Sequence, residues 1–172
     1  MVKRVEISKL NEIERKEQIE NVYEMIEGVL TLRKEPYVMD WSKERYEEVI
    51  VELQELYDRG GTVMGAFDGY NLVGILSLEN RFIGKNNDQI QLTLLQVSNP
   101  YRGKGIGRKL MVYAKDIASR LGAEKLYLTA SRSQNTVDFY LQNGCELASE
   151  INKALFELEP VDIHLELDLR KS

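Results

Sequence analysis

A chain of 172 residues with 43% hydrophobic and 30% charged side chains is long enough to bury one core and too short for two comfortable domains, so residues 1–172 are expected to form a single domain. The formal net charge of -5 offers no extended basic face and no apolar run approaches membrane-spanning length, which argues against nucleic-acid and membrane partners. The single cysteine, Cys145, has no partner for a disulfide or a thiolate metal site, and the charged opening MVKRVEISKL lacks the apolar segment of a secretory signal; no metal and a cytoplasmic location are the expectation.

Along the chain, Val2 to Ile7 alternates weakly, the pattern of an edge strand. Ile19, Val22, Tyr23 and Ile26 recur at helical spacing, and so do Tyr46, Val49, Ile50, Leu53, Leu56 and Tyr57. Two amphipathic helices are predicted, the second capped by Ser42 and stopped by Gly60-Gly61. Between them, Leu32 to Trp41 reads as a loop or short extended segment, because a proline and mixed polarity interrupt both periods.

From Thr62, two β-rich runs around Asp68-Gly69 predict a hairpin, and Gln89 to Val97 a further strand after a polar loop at Gly84 to Asp88. Leu110, Met111, Ala114, Ile117, Ala118 and Leu121 trace one face of a helix that begins at Ile106 and ends at Gly122. A short buried strand follows at Lys125, then a short helix from Thr136 to Asn143 closed by Gly144, and a last strand from Asp162. This order predicts an α+β domain of three layers, with a central, mostly antiparallel twisted sheet flanked by helices and one parallel pair beside the central helix. The long last strand is also a surface through which two copies can pair as a homodimer.

The stretch NPYRGKGIGRKL, Asn99 to Leu110, spaces Gly103, Gly105 and Gly107 between basic side chains just before the central helix. A helix start leaves free N–H groups and about half a positive charge, and glycines let an anion approach the backbone, so the stretch fits a diphosphate better than a carboxylate. The triphosphate loop G-x-x-x-x-G-K-[ST] is excluded, because no lysine here is followed by serine or threonine at the required spacing. The dinucleotide pattern G-x-G-x-x-G fails at its third glycine, where Leu110 stands.

Arg102-Gly103-Lys104-Gly105-Ile106-Gly107, together with Asn135, Phe139, Tyr140 and Gly144 in NTVDFYLQNGC, resembles the two motifs of the GNAT acetyltransferases. The likeness runs from about Thr62 to Cys145, and the predicted helix pair before it agrees with that family's plan. The resemblance implies that the amides from Arg102 to Gly107 hold the pyrophosphate of acetyl-CoA, while the backbone of Leu95, Gln96 and Val97 pairs with its pantetheine arm. Asn135 would hydrogen-bond that arm and Tyr140 would stand near the sulfur.

The implied reaction is attack of a neutral primary amine, of a small molecule or a peptide, on the thioester, with the oxyanion met by a strand N–H. Holding a lysine-like amine neutral at pH 7 costs about 4.6 kcal/mol, so a base is useful. The glutamate that many family members carry on the strand before the glycine loop is absent: Gln91 and Thr93 stand there. Glu79 and Asp88 are the nearest acidic candidates, each of which also reads as a solvated loop carboxylate, and His164 reads as an edge-strand side chain.

Tyr140 is the expected donor to the departing thiolate. Full proton transfer from a phenol to a thiolate is uphill by about 2 kcal/mol at ordinary pKa values, so Tyr140 acts as a full acid only with a lowered pKa. Tyr37 and Trp41, with Glu35 and Asp40, are the candidate aromatic and acidic wall for the acceptor. The competing reading, prompted by the missing strand glutamate, is a non-catalytic acyl-CoA-binding or regulatory module; a different nucleotide-dependent enzyme is a third.

Overall fold

The computed structural model describes residues 4–171. A 3-10 helix over Arg4–Glu12 leads into a hairpin of β1 (Glu17–Ile26) and β2 (Val29–Met39), followed by α1 (Lys43–Asp58). Strands β3 (Thr62–Asp68), β4 (Asn71–Ile83) and β5 (Gln89–Val97) form a meander; then come α2 (Ile106–Arg120), β6 (Lys125–Ala130), α3 (Gln134–Gln142), β7 (Glu146–Leu147), α4 (Lys153–Leu158) and β8 (Ile163–Asp168). The six-stranded sheet runs β3-β4-β5-β6-β8-β7 and is antiparallel except for the β5-β6 pair, which α2 bridges. Among the described residues, no helix is long and apolar enough to cross a membrane.

Two apolar clusters lie on opposite faces of the sheet, because neighbouring strand residues point opposite ways. Leu76 and Leu78 join Leu110, Met111, Ala114 and Ala118 of α2 and Val137 and Tyr140 of α3. Ile75 joins Val49, Leu53 and Leu56 of α1 with Ile7, Leu10 and Ile13 of the N-terminal segment. Burying a side chain of this size contributes about 1.5–3 kcal/mol each, so these faces fix which side of the sheet each helix covers. At the far end α4 covers the α1 side: Phe156 stacks 5.9 Å from the His164 ring, and the Asn152 amide donates to the Tyr127 hydroxyl at 3.0 Å.

The expected Ser42 cap is present, accepting from the Arg45 amide at 3.2 Å, and the chain leaves α1 through Gly60 at φ +91. The hairpin at Asp68-Gly69, the strand Gln89–Val97 and the helix from Ile106 form as the patterns predict. The segment at 17–26 does not: it is a strand. Ile19 and Val22 are both buried, and residues three apart in a strand face opposite sides, so burial on both faces imitates a helical period.

Its partner replaces the expected loop at Leu32 to Trp41. Glu35 and Pro36 of β2 oppose Glu20 alone, a bulge that lets a proline sit within a strand. From Arg4 the N-terminal segment is a 3-10 helix where an edge strand was expected, while Val2 and Lys3 lie outside the described residues. The last strand is not the outermost one: β8 pairs with β6 along its length and, at Leu165 and Glu166, with the two-residue β7 on the other side.

Candidate active site

Parallel β5 and β6 pair only from Gln89 to Gln91, opposite Lys125 to Tyr127, and then separate. Just beyond, Thr93 is an extra residue in β5, where Ser77 and Leu78 of β4 face Leu94 and Leu92. Such bulges turn a strand and re-aim its side chains. The strands part around a cleft of about 1180 Å³, lined by Leu92 to Val97 on one side and by Thr129, Ala130 and Ser131 on the other.

One end of the cleft is the glycine loop. Gly103 and Gly105 adopt φ +73 and +82, Gly105 caps α2 in a left-handed conformation, and a Cβ added at either would meet no protein atom within 4 Å. Among the described residues, the amides of Gly103, Lys104 and Gly105 find no acceptor, and those of Ile106, Gly107 and Arg108 open the helix and point the same way. Successive N–H groups around left-handed glycines form an anion cradle. Gly107 serves packing: a Cβ there would stand 3.0 Å from the Phe139 ring of α3.

Two residues not singled out from the sequence tie this end together. The Glu17 carboxylate forms an ion pair with Arg102 and accepts from Asn135 Nδ2 at 2.6 Å, while Arg102 Nε donates to the Val97 carbonyl at 3.1 Å. Loop, splayed strand and α3 are thereby held in one register. Arg15 reaches into the middle of the cleft, donating to Gln96 Oε1 at 3.2 Å with its guanidinium carbon 4.0 Å from the centre of the Trp41 ring. Burial lowers its pKa from the usual arginine value, and its buried Nε has no partner.

The other end lies between α1, β4 and the β8 entry. Thr93 and Ser77 exchange a hydrogen bond at 2.6 Å, and the Glu79 carboxylate forms an ion pair with Arg59 while its second oxygen is buried without a partner. Glu159 and Asp162 also line the cleft, and their carboxyl groups interact. Desolvation, then that contact and the charge of Glu159, push Asp162 up to about 7. Nothing in the sequence marks Arg15 or Glu17, but Glu159-Pro160-Val161-Asp162 carries a turn signature, and the Asp162 amide donates to the Glu159 carbonyl at 3.2 Å.

Tyr140 lines the cleft on the α3 side, packed edge-on to Phe139 at 5.2 Å. Burial raises its pKa, so the condition for a full acid is not met and a hydrogen-bond donor remains. Cys145 beside it is buried, its thiol pushed up to about 12, and so packs as an inert small side chain. Leu95, Gln96, Val97, Arg102, Gly103, Gly105, Ile106, Gly107, Asn135, Glu79 and Trp41 all line the cleft. Lys104 stands beside it over the Tyr101 ring, 4.9 Å from its centre.

Other candidates are placed elsewhere. Asp88 sits at the opposite end of β5, its carbonyl accepting from the Glu124 and Lys125 amides. His164 is buried inside the sheet, not at its edge; its Nδ1 lies 2.6 Å from the Tyr127 hydroxyl, and burial lowers its pKa. Tyr37 lies outside the cleft lining, Glu35 is paired with Arg132, and Asp40 accepts from the Trp41 amide. The Trp41 face is already covered by Arg15, so the aromatic and acidic wall expected from Leu32 to Trp41 is not assembled as such.

Fold and cleft together define a protein with free backbone amides gathered at a helix start beside a splayed parallel strand pair. The family model for GNAT acetyltransferases matches residues 26–145, and the chain belongs to that family. Among solved structures, nourseothricin acetyltransferase superposes with a TM-score of 0.71 at 16% identity, covering 98% of this chain and 95% of that one. A Bacillus anthracis protein described as a streptothricin acetyltransferase, solved with acetyl coenzyme A, gives 0.66 at 16% identity over 91% of this chain and 88% of that one. Aminoglycoside 6'-N-acetyltransferase with coenzyme A gives 0.57 at 16% identity over 75% and 82%. No curated protein matches the sequence.

Proposed function

We propose that the chain is an acetyl-CoA-dependent N-acetyltransferase acting on a primary amine of a small or peptidic acceptor. The observation that carries this reading is the shape of one cleft: a free-amide cradle at the start of α2, a strand edge left unpaired beyond Gln91, and carboxylates at the far end. The cradle suits the pyrophosphate of acetyl-CoA. The free edge of Leu95 to Val97 suits its amide-bearing arm, and a strand N–H there meets the oxyanion as the carbonyl is attacked. Tyr140 donates to the sulfur as the thiolate departs, a contact that strengthens as charge develops.

Glu159 and Asp162 give the acceptor end a carboxyl pair that suits an ammonium group, while Glu79 there is paired with Arg59. The neighbours that cover nearly all of this chain are named for nourseothricin and streptothricin, which supports a small-molecule acceptor. A second reading, an acyl-CoA-binding module without transfer, draws on Gln91 and Thr93 standing where many relatives carry a glutamate.

Free-thiol release from acetyl-CoA, measured across a panel of cationic small amines, lysine peptides and polyamines, separates the two. Turnover with at least one amine, matched by acetylated product, is expected. Calorimetric binding of acetyl-CoA without transfer to any amine would establish the module instead, and tight binding of ATP or NAD in its place would defeat both.

A further inference from the structure

The mechanism above leaves one need unmet: a group to take the proton from the acceptor ammonium. The strand positions where a glutamate would stand are Gln91 and Thr93, and the Thr93 hydroxyl is engaged with Ser77. Glu79 faces the acceptor end but is neutralised by Arg59. What remains is the carboxyl pair that the turn Glu159-Pro160-Val161-Asp162 folds into the cleft wall between α4 and β8. Ile163, the next residue, pairs with Ala130, which lines the splay, so Asp162 enters the wall directly beside the parted strands.

We propose that Asp162 is the proton acceptor for the attacking amine, with its neighbour across the turn, Glu159, setting the charge it carries. This rests on the N-acetyltransferase reading. Two carboxyl groups in contact share one proton, because both cannot stay ionised at that separation. The charged groups that act on Asp162 are Glu159 at the end of α4 and Arg15 ahead of β1; Tyr37 of β2 feels its charge, and Glu17, Glu35 and Arg132 stand around Tyr37. Burial and Glu159 oppose the ionised form while Arg15 favours it, and the balance pushes Asp162 up to about 7. Arg15 also bonds Gln96 and lends its charge to the Tyr140 environment, so it joins the acidic wall to the acyl-donor strand.

The step balances without another reagent. The ammonium gives one proton to the Asp162 carboxylate; the freed amine forms a C–N bond to the acetyl carbon; the C–S bond breaks as the nitrogen gives up its second proton, which passes through water to the thiolate that Tyr140 meets, leaving amide and free thiol. The proton on Asp162 then returns to solvent through the open cleft.

The test is the pH dependence of kcat/KM with two amines of different basicity, measured for the full chain between about pH 5 and pH 9. The ionised carboxylate is the active form, so the rate rises with pH through about 7 and that limb stays put when the amine is changed, whereas the amine's own limb moves. Asp162→Asn is expected to lose the fixed limb and about 10²–10³ of kcat while its acetyl-CoA affinity stays within about twofold of wild type. Glu159→Gln removes the neighbouring charge and shifts the limb to lower pH, an effect a merely structural role would not produce. Asp162→Glu, which keeps a carboxylate, recovers part of the rate.

A limb that survives in Asp162→Asn, or a fixed limb unmoved in Glu159→Gln, would overturn the proposal. So would loss of acetyl-CoA binding in step with loss of rate. If wild type transfers acetyl to no amine at all, the enzyme reading itself fails and the role of Asp162 falls with it, a result told apart by the wild-type assay alone.

Discussion

Replacing Gly105 with valine is expected to weaken acetyl-CoA binding by about 100-fold, about 3 kcal/mol, while the protein stays folded. Gly105 holds φ +82 and ψ 1 as the cap of α2. A β-branched residue is an outlier there, at a cost of about 1–3 kcal/mol, which the loop can relieve only by turning amides away from their common focus. A Cβ at this position meets no protein atom within 4 Å, so no clash with the protein opposes the substitution, and its cost falls on the loop backbone and the space of the cradle. Calorimetric titration with acetyl-CoA reads the loss; a thermal midpoint lowered by only a few degrees shows that it is not unfolding. An unchanged Kd would remove the loop from the binding site.

Tyr140→Phe is expected to lower kcat by about 10–100-fold and leave acetyl-CoA affinity within about twofold, because the ring and its edge-on contact with Phe139 remain and only the hydroxyl is lost. Burial raises the phenol's pKa, which widens the uphill gap to a thiolate and confines Tyr140 to hydrogen bonding. The sign has a second consequence. A phenol raised in the folded state stays neutral throughout the working range, so no alkaline limb from Tyr140 is expected below about pH 10, and the stability its neutral form supplies is lost only as pH climbs beyond that. A rate unaffected by the substitution would take Tyr140 out of the chemistry.

The glycine-loop side of this cleft is local in sequence, which is why its backbone geometry is legible there. Glycines at positions 103, 105 and 107, the strand before them and the Asn135–Gly144 stretch each act through backbone geometry over a few residues. The contacts that brace it are assembled from far apart. Arg15 meets Gln96 across 81 positions, and Glu17 meets Asn135 across 118; neither pairing leaves a periodic trace.

The helix-like spacing of residues 17–26 has a physical cause as well. Burial of Ile19 and Val22 on both faces of β1 reproduced a helix-like spacing, and the bulge at Glu35-Pro36 hid the partner strand behind a proline. His164 looked like an edge residue because β7 is only Glu146–Leu147, too short to announce itself, yet it closes the sheet beside β8. Asp162 went unnoticed for the opposite reason: its turn was readable, but what matters is the carboxyl partner and the cleft that the turn delivers it to.

Amide hydrogen exchange in the presence and absence of acetyl-CoA tests the central claim, that one cleft seats the acyl donor along the glycine loop and the parted strand. Slowed exchange at residues 103–108 and 95–97, with no comparable change in the β1–β2 hairpin tip at Glu27 and Gly28, is the predicted result. Protection that bypasses both segments, or none at saturating acetyl-CoA, would contradict the account.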